Sequence, residues 1–221
     1  MKLLLKTLVT FLCGVLIAGS MLFVPAGTLA YRGAWLFIVL LFVPILVVGI
    51  VLFIKNPELL RKRLEMKERE KVQKSVVELS GLLLVASFIV AGLDYRFGWS
   101  HVSNIIVAVA SVLLLMGYGL YAEVLRENVY LSRVVEVQDG QRVIDTGLYG
   151  IVRHPMYFAV TLLYLAIPLV LGSWWSLLVM LPCVFLLALR IKNEEKVLHQ
   201  GLPGYTDYTE RVRYRMIPWV W

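Results

Sequence analysis

Four stretches of this chain, 3–24, 33–54, 76–93 and 102–122, each run close to the length of a membrane-spanning helix with almost no charge. In hydrocarbon, backbone N–H and C=O groups must be paired within the segment, and for an isolated run of this length the solution is an α-helix. A fifth apolar block, 156–189, is about twice as long as one span. Gly172-Ser173-Trp174-Trp175 interrupts it; glycine and serine permit a turn, and paired tryptophans suit a lipid–water boundary. The block therefore reads as a helical hairpin with arms at 156–171 and 176–189, both short for a full crossing. The expected fold class is all-α: a polytopic transmembrane helical protein of about six spans. It forms a single domain over 1–221, with four spans in 1–122 and a loop, the hairpin and an amphipathic tail in 123–221.

Composition agrees with this reading. Hydrophobic residues make up 60% of the 221 and charged residues 17%, against about 45–50% and roughly 25% in soluble domains. An ordinary soluble enzyme is excluded, and 12% aromatic content with long apolar runs excludes a disordered chain. Charge sets the orientation. If the N-terminus lies inside, all of the 22 lysines and arginines except Arg32 and Arg96 fall on the inner side, as the positive-inside rule expects. The net charge of +7 is thus a matter of topology and requires no nucleic-acid partner. The expectation is a multi-pass integral membrane protein, surrounded by membrane lipids, with both termini and its active site facing the cytoplasm.

Residues 1–30 share features with a signal peptide, but the apolar run exceeds the roughly 7–15 residues of such peptides, so an uncleaved first span is expected. Cys13 and Cys183 fall inside predicted spans and form no C-x-x-C motif. Together with three scattered histidines they assemble no metal site. His101, beside Trp99, reads as an interface anchor, and His199 as a surface helix position.

Nearly all chemically capable side chains gather in three inner segments. In 55–75, Asn56-Pro57-Glu58 has the order of a helix start, and Glu58–Lys62, Glu65–Arg69 and Glu70–Lys74 are i,i+4 pairs of a solvated helix. The second segment carries a turn signal at Gln138-Asp139-Gly140-Gln141 and then Thr146-Gly147-Leu148-Tyr149-Gly150-Ile151-Val152-Arg153-His154-Pro155-Met156-Tyr157. Gly147 and Gly150 would let the backbone approach a ligand closely. Arg153 and His154 stand at the start of the first hairpin arm, with Pro155 in its first turn. Helix N-termini attract anions, so this corner reads either as an anion site at the membrane surface or as a headgroup anchor built from Arg153 and Tyr157. In the third segment Arg190 and Glu194 share one helix face, and Glu195 and Leu198 another. Gly204, Tyr205, Tyr208 and Val212 follow as an apolar stripe, on the membrane or on the active-site face. Because the second and third segments are the two feet of one hairpin, His154, Tyr157, Arg190 and Glu194 should be neighbours.

These residues, Thr146-Gly147-Leu148-Tyr149, Val152-Arg153-His154-Pro155-Met156-Tyr157, Arg190-x-x-x-Glu194-Glu195 and a Gly-x-Tyr-x-x-Tyr tail, resemble the isoprenylcysteine carboxyl methyltransferase family and the related integral-membrane phospholipid methyltransferases. The resemblance covers roughly 123–218. It implies an S-adenosylmethionine (SAM) site in which the backbone of Gln141, Arg142, Val143 and Ile144 flanks the cofactor and Tyr149 packs on it. His154, Pro155, Met156 and Tyr157 would hold its amino-acid end, Glu194 would bind a polar cofactor group, and Arg190 would face the acceptor as the catalytic and substrate-binding residue. The chain departs from the family where Gln141 replaces histidine, Leu148 proline and Gly150 arginine.

What the resemblance implies is methyl transfer to a small or lipophilic acceptor. Arg190 favours an anionic one, a carboxylate such as that of a prenylcysteine, over a thiol or a phospholipid amine. The competing class is a membrane NADPH-dependent reductase of the sterol or enone type, which the C-terminal architecture resembles more distantly. A transporter is disfavoured, because ionisable residues are nearly absent from the spans apart from Glu78 at an edge.

Overall fold

The computed structural model describes residues 2–55, 57, 71–131 and 137–221, and among them the regular structure is entirely helical. The first four apolar runs become α1 (Lys2–Ala26), α2 (Arg32–Lys55), α3 (Lys71–Phe97) and α4 (Asn104–Glu127). Each outlasts its uncharged core by a few residues, because polar ends continue a helix into the headgroup layer without penalty. The Asn56 cap and the pairs Glu58–Lys62 and Glu65–Arg69 fall outside the described residues, as does Glu70. Lys74 instead meets Glu78, the next acid along, at 3.8 Å on the exposed face of α3.

The hairpin is present, with unequal arms. Its first arm is α5 (Pro155–Val170), 16 residues and thus about 24 Å at helical rise, short of the roughly 30 Å hydrocarbon core. The second arm is longer than its uncharged stretch: α6 (Trp174–Met180) and α7 (Pro182–Gly201) form one 28-residue run. Pro182 lacks an N–H and so interrupts the hydrogen-bond ladder, while Leu181 keeps helical dihedrals and carries the chain through. Among the described residues, α1 to α4 and the α6–α7 run are long and apolar enough to cross a membrane, with α5 a shorter apolar helix. Between the arms Gly172 takes φ +80°, a conformation other residues resist. Ser173 then caps α6 by accepting from the Ser176 N–H at 3.0 Å.

The helices pack as one bundle, most extensively α4 on α5, α1 on α3 and α3 on α6. At the turn end of the hairpin, Asp94 is buried. It accepts from the Ser100 N–H at 2.7 Å, from the Ser100 hydroxyl at 2.6 Å and from the Ser173 hydroxyl. Tyr31 donates to the Leu171 carbonyl at 2.5 Å. Leu22, Phe37, Leu114 and Val170 form the core just inside this end. Much of the outer surface remains apolar, with Leu16, Ile105 and Phe185 each at least 70% exposed, as suits a bundle whose solvent is lipid. The polar segments 128–131, 137–154 and 190–221 lie at the opposite end.

Candidate functional site

At that opposite end a cleft of about 840 Å³, open mouth included, lies between the hairpin feet, the 137–146 loop and the tail. Three chain segments shape it. Gln138 to Gln141 closes a turn through the Gln141 N–H and the Gln138 carbonyl, 3.0 Å apart. The Gln141 side chain secures that turn by accepting from the Gln138 N–H at 2.8 Å. A 3-10 turn, Gly147–Gly150, follows. Both glycines give the chain itself a close approach. A side chain at Gly147 would stand 3.2 Å from the Glu127 carboxyl, and one at Gly150 would stand 3.1 Å from the Asp145 carbonyl.

The second segment is the start of α5. The Arg153 N–H donates to the Tyr214 carbonyl at 2.9 Å and the His154 N–H to the Arg215 carbonyl at 2.7 Å, so the tail lies alongside this corner. Arg153 is buried rather than turned to headgroups or to an anion. Its guanidinium donates to Glu195 at 2.8 Å and to the Val212 and Arg213 carbonyls at 2.8 and 2.9 Å. Glu195 also accepts from Arg215 at 2.6 Å and has His154 Nε2 at 3.4 Å. One carboxylate thus gathers three basic groups from two segments distant in sequence.

The third component is a chain of polar contacts across the two arms. Arg190 Nε donates to the Tyr157 hydroxyl at 3.0 Å, and that hydroxyl donates to Glu194 at 2.5 Å. The rings of His154 and Tyr157 lie 5.7 Å apart. The four residues expected to be neighbours are neighbours.

The tail helix α8 (Tyr205–Arg211) turns its apolar stripe inward. Tyr205, Tyr208 and Val212 cluster with Leu202, against Val143 and Leu198. The Tyr208 hydroxyl donates to the Tyr149 carbonyl at 2.7 Å, and Tyr149 accepts from Asn128 at 2.9 Å. Burial pushes the Tyr149 phenol up to about 12. Burial also raises Tyr208, and it raises Tyr205 with help from the nearby Glu195 and Glu194 carboxylates. All three therefore stay neutral at physiological pH. The Tyr205 hydroxyl is buried with no hydrogen-bond partner among the described residues. A buried hydroxyl without a partner on the wall of a cleft calls for one, from water or from a ligand.

Gln141, Arg142, Val143, Ile144, Tyr149, His154, Met156, Tyr157, Arg190 and Glu194 all line the cleft. Pro155 does not; it is buried in the first turn of α5, where its missing N–H costs nothing. Sequence reasoning missed Asn128, Tyr130 and Leu131 on the cleft wall, and it did not assign Tyr205 or Tyr208 to the site. The tyrosine spacing marked an apolar stripe but not its direction, since an inward stripe and a membrane-facing stripe look alike in sequence. His199 sits on the surface beside Thr206, at 3.2 Å. Among the described residues no cluster of histidine, cysteine or carboxylate side chains could hold a metal.

A family model described as phospholipid methyltransferase matches residues 105–202, which span α4, the cleft loop and the whole hairpin. No curated protein matches the chain.

Proposed function

We propose that this chain is an integral-membrane methyltransferase that takes its methyl group from SAM and passes it to a lipophilic acceptor, a reading supported by the match of residues 105–202 to the phospholipid methyltransferase family model. The observation that carries the reading is the Arg190–Tyr157–Glu194 chain on the cleft wall. The cleft fits the cofactor in kind. It offers a carboxylate for a cationic group, aromatic rings that attract a sulfonium, apolar side chains at Val143, Ile144, Leu198 and Leu202, and the unmet Tyr205 hydroxyl.

Bound SAM supplies an electrophilic methyl group for in-line displacement. The chain's own tasks are to position the partners and to exclude water. Backbone groups of Gln141, Arg142, Val143 and Ile144, the Tyr149 ring and the His154–Tyr157 corner hold the cofactor. Glu194 takes a polar end of it, in an orientation fixed by the Tyr157 hydroxyl. Arg190 orients the acceptor. A buried guanidinium is suited to a carboxylate, which is already ionised at neutral pH and needs no base. A prenylcysteine-like carboxylate is therefore the acceptor we favour over a thiol or a lipid amine, which would each have to lose a proton. The charge asymmetry supports a cytoplasmic position for this end of the bundle.

The test is equilibrium binding of SAM and, in parallel, of NADPH to the detergent-purified protein, with Glu194→Ala and His154→Ala as controls. The expected result is SAM binding that both substitutions weaken, while Arg190→Ala binds SAM and loses transfer. NADPH binding without SAM binding would overturn the proposal in favour of a reductase. Once SAM binding is established, transfer to prenylcysteines, thiols and lipid amines identifies the acceptor.

A further inference from the structure

Beyond the cleft, the tail makes a turn that the site does not use. After Met216 the chain folds back on itself. The Met216 and Ile217 N–H groups donate to the Trp221 carbonyl at 2.9 and 3.1 Å, and the Trp221 N–H returns a bond to Ile217 at 3.0 Å. The base of the turn is apolar and anchored. Met216 is buried with Tyr157, Leu187 and Ile191, and Ile217 and Trp221 pack against that cluster beside Phe158, Val160 and Tyr164. Those partners belong to the first turns of α5 and the adjoining turns of α7, so the base stands at the depth of the apolar helix surfaces rather than out in water.

The tip is the opposite of what such a position would require if it faced water. Trp219 is 84% exposed and Val220 is 75% exposed. Trp219 also takes φ +62°, a conformation that a bulky residue adopts only against resistance and that the surroundings must hold in place. The bonded base does so, projecting the indole outward, with the Tyr214 ring centroid 6.4 Å from its own. On α7, Phe185 and Leu189 are exposed as well. Arg213 on the approach to the turn is exposed, as are Lys192 and Lys196 on α7. An amphipathic indole on a tail that also exposes Arg213 suits the headgroup layer of an anionic leaflet.

We propose that the Pro218-Trp219-Val220 turn is a bilayer anchor, seated in the headgroup layer of the leaflet that the cleft faces. Because Met216 and Arg215 of the same strand touch the site, through Tyr157 and Glu195 respectively, the anchor sets the height of the cleft mouth at the lipid surface. The proposal rests on the membrane reading and not on the methyl-transfer chemistry, so it stands or falls separately.

The experiment uses the full chain in nanodiscs of mixed anionic and zwitterionic phospholipid. Subtracting the tryptophan emission of Trp219→Phe from that of the unmodified protein isolates Trp219 from the other five tryptophans. The expected difference spectrum is blue-shifted from free tryptophan, quenched by phospholipid brominated near the glycerol backbone, and protected from aqueous acrylamide. A red-shifted component open to acrylamide and untouched by bromolipid would overturn the proposal. So would protection from both quenchers that appears only with two copies per disc, which would put a second chain on the turn. Should Trp219→Phe not yield folded protein, Val220→Cys in a Cys13→Ser, Cys183→Ala background, labelled with a polarity-sensitive dye, gives the same two-way answer from the dye's emission.

Discussion

Arg153 and Glu195 stand 2.8 Å apart across 42 residues of sequence, each with less than a tenth of its side chain exposed. This pair joins the first foot of the hairpin to the second, and through Arg215 it also holds the tail. Replacing Glu195 with Gln leaves two guanidiniums without their counter-charge. The expected loss is about 3–5 kcal/mol, the usual cost of breaking a buried ion pair from one side. Denaturant unfolding in detergent measures it. The double variant with Arg153→Met should recover a large part of the loss, because the stranded charge goes with its partner.

Tyr157→Phe removes one hydroxyl and very little volume. Glu194 then loses its donor and Arg190 its acceptor, while the helix packing around the ring is retained. SAM affinity is expected to fall about tenfold, in line with roughly 1.5–3 kcal/mol for a hydrogen bond to a charged group, with a larger fall in transfer rate. Calorimetric titration beside single-turnover transfer separates the two. Unchanged affinity would mean that Glu194 is held in place without Tyr157.

Tyr205→Phe is expected to act in opposite directions on stability and binding. In the ligand-free protein it removes a buried hydroxyl that has no partner, which relieves a penalty of about 1–3 kcal/mol. Thermal unfolding should therefore rise, while SAM binding weakens. A variant that binds SAM as well as the parent would show that this hydroxyl faces no ligand.

Stability should be flat across neutral pH and fall in alkali. Tyr149 has its pKa raised from 10.0 to about 12 by burial, against a smaller opposing effect from the Asn128 hydrogen bond. The folded state therefore holds the phenolic proton more tightly than the unfolded chain does. The corresponding stabilisation is complete below about pH 10 and disappears as pH rises toward 12. Tyr205 and Tyr208 shift in the same direction and add to it. Unfolding midpoints collected from pH 7 to 12 for the parent and for Tyr149→Phe should converge at the alkaline end.

The spans and the hairpin were legible because hydrophobicity over about twenty residues is a local property. Gly172 and Ser173 marked the turn for the same reason. The neighbourhood of His154, Tyr157, Arg190 and Glu194 followed from one topological step, that a hairpin brings its feet together. Arg153 was harder. Read locally, a cation at a helix start looks outward to phosphate, and only the fold shows that Glu195 takes it up. Tyr205 and Tyr208 posed the same difficulty, since seven residues of amphipathic helix do not say what lies against their apolar side. Asp94 at the far end was not singled out at all, because its three donors come from residues that sequence leaves unconnected.

That far end bears on the chemistry in a way that is mechanical rather than electrostatic. The bond from Ser173 to Asp94 fixes the turn between the arms to the end of α3. The arm from Ser173 to Arg190 is a lever about 25 Å long at helical rise. A tilt of about 2° at its fulcrum moves the far tip by about 1 Å, and a misplacement of that size costs a reaction of this kind about a hundredfold. If Arg190 orients the acceptor as proposed, tolerance at the fulcrum is narrower than its distance from the cleft suggests, and the Asp94 carboxylate helps to hold Arg190 in place.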